Sequence, residues 1–245
     1  MKGLIAAAGL STRLQDLSEK RNKTLLNLGG VTLLGNILNH LERAGISEKL
    51  VAVGHDAAAV RTSCGTRATC ILNPFFEHYG ILGSIWLARP HLTGHPFVFT
   101  TGDHYFEFPR LQAFLADQPE ADVLVDLEIK TCDDEDMKVY VGKSGQLQTI
   151  TKTVLKGRVL GEFTATVRFS AEGSRQFFAS LETYVWQHGI QGYLADVLCV
   201  HHRKWELAFH LSQDHRRVEV DFPYDLAKAR SLYQEIAPCP LPVAN

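Results

Sequence analysis

The stretch KGLIAAAGLSTRL, residues 2–14, decides how the rest of the chain is read. Five apolar residues, Leu4 to Ala8, run into Gly9, and Leu10 to Arg13 follow as a polar turn. That order predicts a strand, a loop and the start of a helix. Backbone N–H groups at such a junction point above the strand end, and anions are what they bind best. The ligands left open are a dinucleotide, a nucleoside triphosphate, or none, since a glycine after a first strand also serves simply as a tight turn.

Working outward, the chain alternates. LLGNILNHLERAGI places Leu34, Ile37, Leu38 and Leu41 on one helical face with Gly45 to stop it, and KLVAVGH follows as a buried strand. TCILN reads as a strand, GSIWLARPHL as a helix cut short near Pro90, PFVFTTGDH as a strand, PRLQAFLADQ as a helix and ADVLVDLEI as a strand. Strands separated by helices of this length predict a mainly parallel α/β sheet sandwiched by helices, Rossmann-like, with ligands at the carboxyl ends of its strands. From about 130 to 170 the pattern changes to MKVYVGKSGQLQTITK and EFTATVRFS, a hairpin and a strand, so a small antiparallel β extension is expected there. The second half is expected to cover one edge or face of the sheet. Residues 1–236 read as a single domain, followed by a Pro-rich tail at 237–245.

Composition narrows the partners. The 245 residues carry a net charge of −2, which argues against a general nucleic-acid or membrane-surface binder, so any anion site must be local. No run approaches the roughly 18 apolar residues of a membrane span. Five cysteines without close CxxC spacing fit reduced thiols, and a cytoplasmic location is expected.

Three polar clusters sit at predicted strand ends. The first is GLSTR with Lys23 downstream; Arg13 and Lys23 can flank one loop, and two cations with turn amides neutralise much of a triphosphate. The second is TTGDH, where Gly102 leaves the backbone open to close approach beside Asp103 and His104. The third is VEVDFPYDL, with Asp221. Asp103 and Asp221 offer hard oxygen ligands suited to Mg²⁺ between protein and phosphates, although Asp221 could equally cap the helix that Pro223 begins. Cations, amides and a carboxylate-held metal together point to phosphoryl or nucleotidyl chemistry. A dinucleotide fingerprint fails, because Ser11 and Leu14 stand at the other two glycine places, and a Walker loop is absent. Cys199, His201, His202, His210 and His215 lack the spacing of a structural zinc site and read as solvated.

AAAGLSTRL followed by NKTLLNLGGVTLL resembles the N-terminal signature of the nucleotidyltransferase superfamily. LNPFFEHYGILGSIWLARPHL, TTGDHYFE and DDEDMKVYV are similar to the cytidylyltransferases that act on phosphocholine, aminoalkylphosphonates and inositol 1-phosphate. The resemblance implies that Ala6, Ala7, Ala8, Gly9, Leu10, Ser11, Thr12 and Arg13 form the nucleotide loop, with Lys23 on the phosphates and Gly102 beside them. It implies Mg²⁺ on Asp103 and Asp221, and a pyrimidine base read at Gly83 and Ser84. On the acceptor side it implies Asn73, His104, Lys138, Lys152 and Glu162. The chain departs from the family in having Asn22 where proline usually precedes the lysine, and in lacking the paired asparagines of phosphocholine-type enzymes around YGILGS.

The expected activity is a Mg²⁺-dependent transfer of CMP from CTP to a phosphate or phosphonate oxygen of a small headgroup, with release of pyrophosphate. The partners are then CTP and a small phosphorylated or phosphonate substrate, without nucleic acid or membrane, and a homodimer stays open. The alternatives are a sugar 1-phosphate nucleotidylyltransferase using another triphosphate and a catalytically silent nucleotide-binding regulatory protein.

Overall fold

The structure is a computed structural model that describes residues 1–10, 14, 21–201 and 205–236. Ser11, Thr12, Arg13, His202 and the tail at 237–245 lie outside the described residues.

The opening segment forms β1 (Lys2–Ala7), and a 3-10 turn at Lys23–Leu25 follows. Next come α1 (Leu33–Arg43), β2 (Lys49–Val53), α2 (Ala57–Cys64), β3 (Thr69–Leu72) and α3 (Phe76–Leu92). β4 (Phe97–Thr101) and β5 (His104–Phe106) flank the TTGDH turn, and α4 (Phe108–Ala116) and β6 (Val123–Glu128) follow. The antiparallel extension is β7 (Lys138–Val141) and β8 (Leu147–Thr151). β9 (Arg158–Phe169), α5 (Ala171–His188), α6 (Leu194–His201), β10 (Leu207–Ser212), β11 (Arg217–Glu219) and α7 (Pro223–Ile236) complete the chain.

Among the described residues the main sheet has the order β10-β6-β9-β4-β1-β2-β3, with β7 on β9 and β8 on β7. β1 is parallel to both β2 and β4, as the helical crossovers require. Alternation along β1 explains the two layers of helix. Leu4 packs with Leu82, Ile85 and Ala88 of α3 and Phe177 of α5 on one face. Ile5 packs with Leu34, Ile37 and Leu41 of α1 and Phe114 of α4 on the other. Each such side chain contributes about 1.5–3 kcal/mol of apolar burial, so the sheet is held from both sides. This is the mainly parallel sandwich that the sequence predicts.

Two expectations are corrected. The second half does not merely cover the sheet, because β9 runs antiparallel between β4 and β6 in its centre and β10 forms the far edge. Both faces of β9 are buried: Phe163, Val167 and Phe169 join one core while Thr164 and Arg168 are covered on the other side, so an interior position is the one that satisfies it. The helix expected over GSIWLARPHL begins earlier, at Phe76, and runs two residues past Pro90. It bends at Gly80, whose φ of 51° lies in the left-handed region that glycine tolerates.

Candidate active site

β1 ends at Ala7, and three carbonyls there are tied to separate segments. Ala6 accepts from Gly102 N–H at 2.8 Å, Ala7 from Asn22 Nδ2 at 2.7 Å, and Ala8 from His55 N–H at 3.1 Å. Ala6, Ala7, Ala8 and Gly9 line the cleft. A Cβ at Gly9 would meet no atom of the described residues within 4 Å. At Gly102 the reverse holds. A Cβ there would stand 2.8 Å from Thr24 Cγ2 and 3.0 Å from the Ala6 carbonyl oxygen, so only glycine lets the Lys23–Leu25 turn approach β1 and β4.

Asn22 fixes that turn. It is 1% exposed, its amide donates to the carbonyls of Ala7 and His55, and its Oδ1 accepts from Thr24 N–H at 3.0 Å. Its φ of −65° is the value proline would impose, so the backbone holds that angle while the side chain adds three bonds.

Lys23 then points into the cleft. Its Nζ lies 2.7 Å from Asp103 Oδ2 and 2.8 Å from Asp221 Oδ1. Burial pushes the ammonium toward neutrality, but the two carboxylates outweigh it and hold its pKa above the ordinary lysine value. For Asp103, burial pushes upward, and the charges of Lys23 and His104 more than reverse that, keeping it well below the usual carboxylate range. Two acids far apart in the chain therefore converge on one cation beside the glycine loop. Asp225, in the first turn of α7, accepts from the N–H groups of Asp221 and Phe222 at 3.1 and 2.8 Å.

The donors suit a hard divalent cation. Asp103 Oδ1 is buried with no hydrogen-bond partner among the described residues, an oxygen that a metal would satisfy. Ligand atoms of Asp103, His104 and Glu219 also lie within 4.8 Å of one another. The cleft has a volume of about 170 Å³ and opens to solvent. Phe76, Ile81 and Ser84 of α3 line it together with Lys23 and Asp103. Ser84 Oγ accepts from Asn73 Nδ2 at 3.2 Å, which leaves the hydroxyl proton to be directed into the cleft. Gly83 sits beside it, where a Cβ would come 2.6 Å from Tyr79 Cβ.

The residues expected on the acceptor side have protein partners of their own. Lys138 is buried and donates to the carbonyls of Asp133, Asp136 and Lys152, three acceptors for its three protons, so it braces the hairpin. Lys152 is exposed and pairs with Glu135 at 3.1 Å. Glu162 is held between Arg217 at 3.2 Å and Lys130 at 3.0 Å; burial raises its pKa, and the two cations bring it below normal. None of these three lines the cleft. His104 is buried between Thr101 Oγ1, at 2.9 Å from Nδ1, and Glu219, at 3.4 Å from Nε2. Of the zinc candidates, Cys199 Sγ accepts from Ile150 N–H at 3.0 Å, and His210 pairs with Asp117 at 2.7 Å. Sequence reasoning missed Asn22 as a brace, and missed Arg217 and Glu219. The alternation in RVEVD was the available signal, since it puts Arg217 and Glu219 on one strand face.

No helix among the described residues is long and apolar enough to cross a membrane. A MobA-like NTP transferase domain matches residues 3–126. CMP-5'-(3-aminopropyl)phosphonate synthase of Streptomyces rubellomurinus (strain ATCC 31215) is 34% identical over 126 residues, 49% of this chain and 20% of that protein. The aligned stretch therefore spans a fifth of that relative's length. CTP:phosphocholine cytidylyltransferase from Streptococcus pneumoniae superposes with a TM-score of 0.76 at 16% identity, covering 95% of this chain and 98% of the other. The inositol-1-phosphate CTP transferase from T. maritima gives 0.77 at 17% identity, covering 97% and 98%. At these identities the two structures establish a shared fold. Because the match of residues 3–126 covers half of the sequence, the chain belongs to the MobA-like NTP transferase domain family.

Proposed function

We propose that residues 1–236 form a Mg²⁺-dependent cytidylyltransferase that moves CMP from CTP to a phosphate or phosphonate oxygen of a small headgroup, releasing pyrophosphate. The observation that carries the reading is the convergence of Lys23, Asp103 and Asp221 beside the chain at Ala6–Gly9. The choice of cytidine and of a phosphonate-type acceptor is supported by the relative named for CMP-aminopropylphosphonate synthesis.

The acceptor oxygen is already anionic at neutral pH, so no activated side-chain nucleophile is needed. Catalysis reduces to holding two anions in line and stabilising charge. The acceptor oxygen forms a bond to the α-phosphorus as the bond to the bridging oxygen breaks, and pyrophosphate leaves with that electron pair. The loop amides, with Ser11, Thr12 and Arg13, take the triphosphate. Ser84, braced by Asn73 and passed closely at Gly83, faces the pyrimidine. Lys23 leaves its carboxylates for the phosphates and meets charge developing on the leaving group. Asp103 and Asp221 would hold Mg²⁺, which supplies charge neutralisation between the α-phosphate and the acceptor.

The test is pyrophosphate release from each of the four NTPs against a panel of aminoalkylphosphonates, phosphocholine, inositol 1-phosphate and sugar 1-phosphates. CTP with a phosphonate or phosphoalcohol is expected to turn over fastest. Preference for another NTP with a sugar 1-phosphate would replace this reading, and CTP binding without turnover on any acceptor would favour a regulatory protein.

A further inference from the structure

The two carboxylates bridged by Lys23 are brought together by one short ribbon. β5 begins at the residue after Asp103, and β11 ends two residues before Asp221. They pair antiparallel over three rungs, Glu219 opposite His104, Val218 opposite Tyr105 and Arg217 opposite Phe106. Val220 N–H adds a bond to the Asp103 carbonyl at 3.0 Å, closing the ribbon at its aspartate end. Two strands this short are not stable alone, so what their faces touch sets where the aspartates stand.

One face is apolar. Tyr105, Val218 and Val220 pack with Leu33 and Leu226, contacts that hold the ribbon down without fixing its orientation closely. The other face carries Arg217, whose side chain is 5% exposed. Its guanidinium reaches 3.2 Å to Glu128 of β6 and 3.2 Å to Glu162 of β9, and lies 3.4 Å from His104 Nε2. A planar fork that engages two carboxylates is directional in a way the apolar face is not. It bolts the ribbon to two central strands of the main sheet. From His104 the contact continues to Thr101 Oγ1, across the turn that holds Asp103.

We propose that Arg217 is a positioning residue: by tying the β5–β11 ribbon to Glu128 and Glu162 it fixes the separation of Asp103 and Asp221, and with it their affinity for a divalent cation. The inference rests on the reading of those aspartates as metal ligands. A role confined to stability would lower the melting temperature and leave metal affinity in the folded protein unchanged. A positioning role changes that affinity while the fold stays intact.

The experiment is a Mn²⁺ titration of nucleotide-free protein, followed by the electron paramagnetic resonance signal of the free ion, with circular dichroism melts alongside. Wild type, Arg217→Lys and Glu162→Gln are compared, each also in a Lys23→Ala background where no ammonium competes for the carboxylates. Arg217→Lys is expected to weaken Mn²⁺ binding about 10–100-fold, as the loss of outer partners of metal ligands does, and Glu162→Gln to weaken it in the same direction. Folded Arg217→Lys with Mn²⁺ affinity within about twofold of its parent overturns the proposal, well short of that range. Should Arg217→Lys fail to fold, Glu162→Gln decides by the same criterion. Parents that bind no Mn²⁺ with or without Lys23 remove the metal reading itself, and the positioning role falls with it.

Discussion

The end of β1 and the β5–β11 ribbon are built by different means. Around the end of β1, Asn22, Lys23 and Gly102 are joined by short contacts, within one βα unit and the strand beside it. Asp221, Glu219 and Arg217 arrive through a ribbon between segments more than a hundred residues apart, held by a buried ion network. The first region is thus specified locally, while the second depends on register between distant strands. Substitutions should show that contrast: losses at the first act on chemistry directly, and losses at the second act through geometry.

The largest effect is expected at the junction of the two. Lys23→Ala should lower turnover roughly 10²–10³-fold, the usual result of removing one preorganised donor at developing charge. The same change should not weaken binding of Mn²⁺ alone, because it frees the two carboxylates. Steady-state kinetics beside a Mn²⁺ titration checks both signs, and weakening of both would mean that Lys23 orders the site rather than competing for it.

A stability prediction follows from α1, outside the cleft. His40 is 5% exposed, its Nε2 lies 2.9 Å from the Phe106 carbonyl, and its Nδ1 has no partner among the described residues. Burial pushes its pKa down from 6.5 to about 4. The unfolded chain takes up a proton as pH falls through 6.5, and the folded protein does so only near 4, so stability should drop across that window. The loss approaches about 3 kcal/mol at its acid end. Urea midpoints at pH 7.5 and 4.5 would measure it, and His40→Gln should flatten the dependence.

Next in size is Asn22→Ala, which strands the carbonyls of Ala7 and His55 and should cost about 1–3 kcal/mol in a denaturant melt. Asn22→Pro keeps the backbone angle and loses the side-chain bonds, so it should reproduce most of that cost. If it does not, φ rather than the amide holds the turn. Smallest of all is Lys152→Ala, an exposed ion pair worth about 0–1 kcal/mol, which should change neither stability nor turnover appreciably. A large loss of turnover there would restore the lysine to the acceptor side.

The same contrast explains what could be read from the sequence. The opening strand, the helical crossovers and the KSG hairpin are local patterns of period or turn chemistry, and each stands where it was expected. The insertion of β9 between β4 and β6 was not legible, since pairing order is a matter of which strands meet and not of what any one contains. Asp103 and Asp221 could be picked out as strand-end acids, but their shared cation could not. Lys138, which the resemblance sets near the acceptor phosphate, donates to three backbone carbonyls, partners that no local pattern announces.

The most direct test of the account is the Mg²⁺ dependence of pyrophosphate release at saturating CTP, compared between wild type and Asp103→Asn. The account predicts that the half-saturating Mg²⁺ concentration rises at least ~10-fold while the apparent KM for CTP changes little. A Mg²⁺ curve superimposable on that of wild type would contradict it.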